Sequence, residues 1–277
     1  MERAADILRI ISARKSAGEP FALATVVRTV AATAAKAGAK AVILPDGTIS
    51  EGWIGGGCAR TAVLKAAKDA LTDGKSRLVS VQPPDLLDEQ GHASGEEQGG
   101  VRFAKNMCPS EGTMDIFVEP VLPRSQIIIC GSSPVAIAIA DFAKRAGFAV
   151  TACAPADEQA AFCDIDRRIE GYALPVDESG ARYIVISTQG RGDEAALLAA
   201  LAVDAEYVAF VGSRKKAQAL GSSMVRRGIS EQRLARLKAP AGLDLGAITP
   251  EEIAILILAE IVAVQRHKHD RAKPGTA

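Results

Sequence analysis

The chain has few aromatic residues and no excess of charge of either sign. Phe, Trp and Tyr make up only 4% of its 277 residues, and 33 Lys and Arg residues are balanced by 33 Asp and Glu residues. Nucleic acids and anionic membrane surfaces attract proteins through a basic field, which this sequence lacks. The composition therefore argues against nucleic acid as a principal partner.

Long apolar runs are also missing. The longest, Ile253–Val264, contains Glu260 and is much shorter than the roughly 20 residues that a membrane-spanning helix needs. The sequence begins Met1-Glu2-Arg3-Ala4-Ala5-Asp6, without the apolar stretch of a signal peptide. We expect a cytoplasmic protein with no transmembrane segment.

Histidine and cysteine do not form metal-binding or disulfide patterns. His92 is isolated, and His267 and His269 lie in a charged tail, which does not support a zinc or di-iron site. The 5 cysteines include no Cys-x-x-Cys pair, and their odd number in a long chain argues against a disulfide framework. Cys130 and Cys153 end apolar strands and are expected in the core. Any special cysteine should therefore have a chemical role.

The rest of the composition is that of a folded protein with two domains. Hydrophobic residues make up 48% and charged residues 24% of a chain long enough for two compact units. The segment 119–124 contains two prolines and separates halves with different patterns. We predict an N-terminal domain over residues 1–121 and a C-terminal domain over residues 122–277.

The first half is expected to form a small α+β domain. Helical spacing predicts helices over 2–15 and 59–71. Residues 83–112 are rich in Pro, Gly, Asp and Glu without a sustained period, which indicates a long functional or mobile loop. Strands are predicted over 21–28, 39–44, 48–50, 77–82 and 114–118.

The second half alternates short apolar strands with helical segments, a pattern typical of a parallel sheet with helices on both faces. We therefore predict a Rossmann-like, doubly wound C-terminal domain and an α/β fold class. Strands are predicted over 127–130, 148–153, 183–187 and 207–211, and helices over 134–145, 193–202 and 214–227.

The last helix has clear start signals and an apolar body. Thr249, Pro250 and Glu252 form an N-terminal capping pattern. Residues 253–264 are apolar on all sides, which predicts burial between elements or between subunits. Because a small sheet offers a terminal helix little cover, we expect a homodimer.

Four loops of the second half follow strands, where open parallel sheets bind ligands. Three of them precede helices, whose N-terminal amides attract anions, and Arg191 and Arg214 add cations suited to phosphate. The alternative is that the glycines only make tight turns. The candidate cofactor-binding residues are Gly131, Ser132, Ser133, Gln189, Gly190, Arg191, Gly212, Ser213, Arg214 and Asp244.

The dinucleotide-binding fingerprint is incomplete in this sequence. Gly131 and Ala136 match its first and last positions, but Ser133 replaces the second glycine, where backbone approaches pyrophosphate. The acidic residue that holds a ribose is missing at the end of the second strand, which runs into Ala154 and Pro155. These departures disfavour NAD and NADP as ligands.

Cys58 is the strongest candidate for a reactive thiol. It follows Gly55-Gly56-Gly57 at the start of a predicted helix, with Arg60 nearby. This setting favours a thiolate that acts as a ligand, a nucleophile or a persulfide carrier. An inert buried cysteine is the alternative. Cys108, in the irregular segment, is the second candidate.

Four motifs distributed along the chain resemble those of a known family. They are Phe21-Ala22-Leu23-Ala24-Thr25-Val26-Val27-Arg28-Thr29, Ile54-Gly55-Gly56-Gly57-Cys58, Asp115-Ile116-Phe117-Val118-Glu119-Pro120 and Ala241-Gly242-Leu243-Asp244-Leu245-Gly246-Ala247-Ile248-Thr249-Pro250-Glu251-Glu252-Ile253-Ala254. Together they resemble the XdhC/CoxI family over nearly the whole chain. Residues 131–136 and 188–197 are similar to its carbon monoxide dehydrogenase accessory branch, often called CoxF. Arg60 and Pro109-Ser110-Glu111 depart from the family pattern beside the two cysteines.

The resemblance implies an accessory protein for molybdenum hydroxylases such as xanthine dehydrogenase and carbon monoxide dehydrogenase. It implies a chaperone without turnover that transiently binds the molybdenum cofactor, as molybdopterin or its cytosine dinucleotide, and supports its maturation and insertion. The implied partners are the hydroxylase large subunit, a cysteine desulfurase and a cofactor cytidylyltransferase. The implied thiol residues are Cys58 and Cys108, with Cys58 as the metal ligand and Gly55, Gly56 and Gly57 contacting the cofactor. An NAD(P)-dependent oxidoreductase and a nucleotide-binding regulator are the alternative functions.

Overall fold

A computed structural model describes residues 2–109, 111–174 and 180–271. They form two compact units, one ending at Pro123 and the other comprising Arg124–Arg271. The helices are α1 (Glu2–Ala17), α2 (Gly57–Asp73), α3 (Pro84–Glu89), α4 (Pro134–Arg145), α5 (Asp193–Ala202), α6 (Arg214–Arg226), α7 (Glu231–Leu234) and α8 (Pro250–Arg271). The strands are β1 (Phe21–Val30), β2 (Lys40–Ile43), β3 (Ile49–Gly52), β4 (Arg77–Gln82), β5 (Glu97–Gln98), β6 (Val101–Lys105), β7 (Thr113–Val121), β8 (Gln126–Cys130), β9 (Ala149–Ala154), β10 (Arg167–Glu170), β11 (Arg182–Ile186), β12 (Tyr207–Phe210) and β13 (Leu237–Lys238).

The first unit is a mixed sheet with a helix packed on one face. Its strand order is β3-β2-β1-β7-β4-β6-β5, and only the β4–β6 pair is parallel among the described pairings. Helix α2 turns small side chains, including Ala59, Ala66 and Ala70, toward buried Val26 and Ile116 of the sheet. Small residues allow the helix to lie close to the strands. The predicted N-terminal α+β fold is confirmed.

The second unit is a parallel sheet covered by helices on both faces. Its strand order is β10-β9-β8-β11-β12-β13, which is the 3-2-1-4-5-6 order of a Rossmann fold when the strands are numbered along the chain. Helices α4 and α8 pack on one face of the sheet, against Ile127 and Ile129 of β8. Helices α5 and α6 pack on the other face, in the core that contains Ile128 and Cys130. The predicted doubly wound fold is confirmed. Strand order reverses between β8 and β11, and the loops after these two strands flank that point.

The prediction of a long irregular loop over 83–112 is wrong. This segment contains α3, β5 and β6, and β6 pairs in parallel with β4, with Leu78 opposite Val101. Phe103 is buried, and its ring stacks on His92 with 3.8 Å between ring centroids. The strand depends on a distant partner, so local sequence patterns do not reveal it.

Helix α8 has the predicted start, and its own chain covers only part of its surface. Thr249 Oγ1 accepts a hydrogen bond from Glu252 N, and Glu252 Oε2 accepts one from Thr249 N, at 3.2 and 3.0 Å. Ile255 is 52% and Val262 40% exposed, whereas Ile257 is fully buried, so burial of the whole helix between subunits stays a prediction. Neither α8 nor any other helix in the described residues has the length and apolar character that crossing a bilayer requires.

Candidate functional site

The first unit has a cavity of about 220 Å³ beside the N-terminus of α2, which we call the thiol cavity. Cys58 and Cys108 both line it, together with Asn106 and Met107. Most of the remaining wall consists of small residues and apolar side chains. The fold thus brings the two cysteines selected from the sequence to one space.

Cys58 Sγ lies at the start of α2 and accepts a hydrogen bond from the backbone. The backbone N–H of Met107 donates to Cys58 Sγ, with 3.4 Å between nitrogen and sulfur. Cys58 lies in the first turn of α2, and the N-cap residue Gly56 makes no side-chain cap. Cys58 is half-buried and Cys108 is exposed, so the cavity can be reached from solvent.

Asn106 fixes the turn that carries Cys108, and sequence analysis did not select it. Its Oδ1 accepts a hydrogen bond from Cys108 N at 3.0 Å, and its Nδ2 donates one to Gly112 O at 2.6 Å. The backbone N–H of Asn106 donates to Gln82 O at the end of β4. An asparagine two residues before a loop cysteine is typical of such a side-chain turn, and this was the available signal.

The three glycines before Cys58 have different roles. Gly55 has a φ of +113°, and a Cβ there would lie 3.2 Å from Met114 Cε. Gly56 and Gly57 are exposed, lie outside the left-handed region, and would place a Cβ in open space. The backbone conformation therefore favours glycine at position 55 but not at the other two positions, whose lack of side chains leaves the approach to Cys58 open.

In the second unit, the loop after β8 is held by packing inside the protein. Gly131 has a φ of +105°, and a Cβ there would lie 2.5 Å from Ser187 O. Ser133 is only 6% exposed, accepts a hydrogen bond from Ala136 N at 3.1 Å, and lies 2.5 Å from Ser187 Oγ. The Ser133 side chain thus caps α4 and does not lie on the solvent side of the loop.

The loop after β11 is fixed by Asp193, which the sequence did not single out. Its carboxylate accepts hydrogen bonds from Thr188 Oγ1 and from Gly190 N, and pairs with Lys216 Nζ at 2.6 Å. Burial opposes ionisation of Asp193, but Lys216, Thr188 and the Gly190 amide outweigh it and lower the pKa of the carboxyl. The exposed Gln189 is held at a φ of +49°, a conformation uncommon for residues other than glycine.

The second strand of this unit, β9, ends at Ala154 without an acidic residue, and the nearest glutamate lies further along the chain. Glu158 lies in a 3-10 helix, Ala156–Ala161, directly beyond β9. Ser132 Oγ donates a hydrogen bond to Glu158 Oε2, and Arg191 Nη1 lies 3.1 Å from Glu158 Oε1. Glu158 therefore joins the loops after β8, β9 and β11.

The remaining selected residues lie at a different part of the same sheet edge. Gly212, Arg214 and Asp244 line a cavity of about 660 Å³ near the ends of β12 and β13. Arg214 and Asp244 are exposed and 3.5 Å apart. Ser213 caps α6 by accepting a hydrogen bond from Lys216 N at 3.3 Å. A Cβ at Gly212 would clash with the ring of Phe210, so this glycine is required by packing.

Glu260 supports this cavity from α8 and was also missed from the sequence. It accepts hydrogen bonds from Gly242 N at 3.0 Å and Tyr207 Oη at 2.6 Å, and pairs with Lys238 Nζ at 2.8 Å. Burial and the neighbouring Glu260 raise the pKa of Tyr207 above its ordinary value. Glu260 thus anchors the glycine-containing loop that forms part of the cavity wall. A lone acid within an apolar helix was the sequence signal for such a role.

Across the described ranges, no three His, Cys, Asp or Glu side chains gather in a group that could hold a metal ion.

Both units match models of known protein families. A model described as the XdhC Rossmann domain matches residues 127–261, and a model of the XdhC and CoxI family matches residues 15–82. The chain belongs to the XdhC and CoxI family.

Two individual proteins are also similar to this family member. Uncharacterized protein YqeB of Escherichia coli (strain K12) is 27% identical over 266 residues. The alignment covers 90% of this chain, which spans only 44% of that protein's length. A crystal structure described as a xanthine dehydrogenase from Bacillus halodurans is 19% identical, with a TM-score of 0.46, and the alignment covers 96% of this chain and 97% of that chain.

Most of the candidate residues of this XdhC/CoxI protein lie within the matched segments. Cys58 lies in the first, and Glu158, Arg191 and Asp244 lie in the second. Cys108 lies outside both segments. The resemblance to the family is confirmed, and the assignment to the CoxF branch stays a prediction.

Proposed function

We propose that this XdhC/CoxI protein is an accessory protein for a molybdenum hydroxylase and acts as a chaperone for the molybdenum cofactor, without turnover. The observation that carries the proposal is the thiol cavity, where Cys58 and Cys108 line one solvent-accessible space at a helix N-terminus. The cofactor is the cargo of this protein, and the large subunit of the hydroxylase receives it.

The thiol cavity suits one end of this cargo. Thiolate sulfur is a soft ligand, and Cys58 would hold the metal-bearing end with Cys108 beside it. The cavity of about 220 Å³ is smaller than the roughly 300–1,000 Å³ of pockets that enclose a whole drug-sized ligand. It therefore has room for only part of a molecule as large as molybdopterin.

The second unit, taken by itself, has cations that suit a phosphate-bearing ligand. Arg214 and Lys238 line its cavity of about 660 Å³, and Arg191 lies in another loop of the same sheet edge. Arg191 and Arg214 now pair with Glu158 and Asp244, respectively. A phosphate would compete with these carboxylates for the two guanidinium groups. Molybdopterin or its cytosine dinucleotide is the ligand we propose.

We place the protein in the CoxF branch and in the cytoplasm, with a carbon monoxide dehydrogenase or a xanthine dehydrogenase as its client. The segments 131–136 and 188–197 support the branch. A cysteine desulfurase that supplies sulfur and a cytidylyltransferase that completes the dinucleotide are the further partners we propose.

Molybdopterin or its cytosine dinucleotide is expected to bind more tightly than NAD or NADP. The reason is that a thiolate of the thiol cavity can ligate the molybdenum of the cofactor, whereas nicotinamide dinucleotides offer this cavity no metal. Isothermal titration calorimetry with the four ligands measures the difference. Micromolar binding of NAD without measurable binding of a pterin would overturn the chaperone function. It would favour the second candidate, an NAD(P)-dependent oxidoreductase. The position of Glu158 beside Ser132 supports this second candidate.

We also propose that the protein is a homodimer. Ile255 and Val262 are exposed and lie seven residues apart, on one face of α8. A second copy would cover these apolar side chains. Light scattering at micromolar concentration is expected to give the mass of a dimer, and Ile255→Asp with Val262→Asp should give a monomer. A monomer in the unaltered protein would remove this proposal.

A further inference from the structure

Glu158 lies at the place where an open parallel sheet binds nucleotides. The strand order of the second unit reverses between β8 and β11, and ligands of such sheets occupy the crevice beyond the strand ends at that reversal. Ser132 follows β8 and Arg191 follows β11, so these two residues flank the reversal. Glu158 contacts both of them.

The carboxylate of Glu158 is fixed before any ligand arrives. Its side chain is only 16% exposed, whereas that of its partner Arg191 is 80% exposed. One carboxylate oxygen accepts from Ser132 Oγ and the other from Arg191 Nη1. Tyr172 Oη donates to Arg191 O at 2.9 Å and holds the backbone of the arginine. A shielded carboxylate in a fixed position is a good acceptor for neutral hydroxyl groups.

The backbone around Glu158 is compatible with a nucleotide. Ser133, which the sequence suggested as an obstacle, directs its side chain toward Ser187 and caps α4. The side chain therefore leaves the solvent side of the loop clear. Gln189 holds a left-handed conformation at the other side of the reversal, and such uncommon conformations cluster at ligand-binding sites.

We propose that Glu158 is the ribose-binding residue of a nucleotide site in the second unit, and that this site takes a ribonucleoside diphosphate with free 2′- and 3′-hydroxyls. The two hydroxyls donate to the carboxylate and replace Ser132 and Arg191 as its donors. Arg191, released from Glu158, turns its charge to the diphosphate. A 2′-phosphate would bring negative charge against Glu158, so the site disfavours 2′-phosphorylated nucleotides.

This inference rests on the proposed function in that molybdopterin cytosine dinucleotide contains a cytidine diphosphate, but it does not depend on the thiol chemistry. Cys58 lies in the first unit, whereas Glu158 and its partners Ser132 and Arg191 lie in the second. Cytosine and adenine nucleotides carry the same ribose and diphosphate, so the base does not decide whether Glu158 binds the ribose hydroxyls. Separate cytidine and adenosine ligands show which base the site accepts.

The test is calorimetry on the full chain with CDP, ADP and the 2′-deoxy form of each. We expect at least one of the two ribonucleotides to bind, and its 2′-deoxy form to bind about tenfold more weakly because a hydrogen bond to a charged acceptor is lost. Glu158→Gln should reduce this preference for ribose to nearly none. Asp157→Asn is the matched control, because Asp157 is an exposed acid in the same turn.

Thermal melts of both variants confirm that they fold, and Asp157→Asn should keep the ribose preference of the unaltered chain. The inference is overturned if neither ribonucleotide binds, or if Glu158→Gln keeps the full preference for ribose over deoxyribose. Either result leaves the thiol cavity untouched, so it is distinguishable from failure of the chaperone function. Loss of client maturation in Cys58→Ala likewise has no bearing on the ribose preference.

Discussion

Replacement of Cys58 by alanine is expected to abolish maturation of the client hydroxylase while the fold stays intact. Cys58 is only half-buried and lines a cavity, so its sulfur is accessible and contributes little to packing. The experiment is co-expression of the variant with the candidate hydroxylase. Hydroxylase activity and the content of sulfurated cofactor are measured, and thermal melts show that the variant folds.

Cys130→Ala is the matched control for this experiment. Cys130 is fully buried at the end of β8, and its contact with Cys153, together with burial, raises the pKa of its thiol. Its replacement should lower the free energy of unfolding by about 1 kcal/mol or more and leave maturation unchanged at a permissive temperature. If Cys58→Ala matures the client as well as the unaltered protein does, the thiol has no role. Binding would then rest on Arg191, Arg214 and the glycine loops.

Gly131→Ala is expected to lower the free energy of unfolding by about 3 kcal/mol or more. The φ of +105° is unfavourable for alanine, and its Cβ would lie 2.5 Å from the backbone oxygen of Ser187. Gly131 and Ser187 directly follow β8 and β11, and Ser187 N donates a hydrogen bond to Cys130 O, so neither residue can move without disturbing the ends of this strand pair. Denaturant unfolding followed by circular dichroism measures the loss.

Gly57→Ala provides the comparison. A Cβ at Gly57 would meet no atom within 4 Å, and alanine is the better helix former in the first turn of α2. Its stability should therefore equal or slightly exceed that of the unaltered protein. We distinguish Gly131, which packing requires, from Gly57, which only keeps the approach to Cys58 open. Equal stability of the two alanine variants would contradict this distinction.

The parts of the fold that depend on local pattern could be predicted from the sequence. In the second half, β8, β11 and β12 are each followed by an α-helix, so the alternation is visible without knowledge of distant contacts. Strand β6 could not be found in this way, because its stability comes from parallel pairing with β4. The sidedness of α8 could not be found either, since Ile255 and Ile257 are the same residue type with opposite burial.

The candidate site was only partly predictable for the same reason. The sequence selects Cys58 and Cys108 separately, but their common cavity depends on β6 and on the Asn106 turn that follows it. Glu158 was missed because the acid was sought at the end of the second strand. It lies instead in the following 3-10 helix, 26 residues after Ser132. Gly131 was selected as a site glycine from its position after a strand, and its close contact with Ser187 could be seen only with knowledge of the neighbouring strand.

Transfer of the cofactor tests the central claim most directly. The full chain is purified from cells that make the molybdenum cofactor, and its pterin content is measured by fluorescence. It is then mixed with hydroxylase that lacks the cofactor. We predict that the purified chain carries a pterin, and that mixing moves pterin and molybdenum to the hydroxylase as its activity rises. A chain that carries no pterin and gives the hydroxylase no more activity than free cofactor alone would contradict the account.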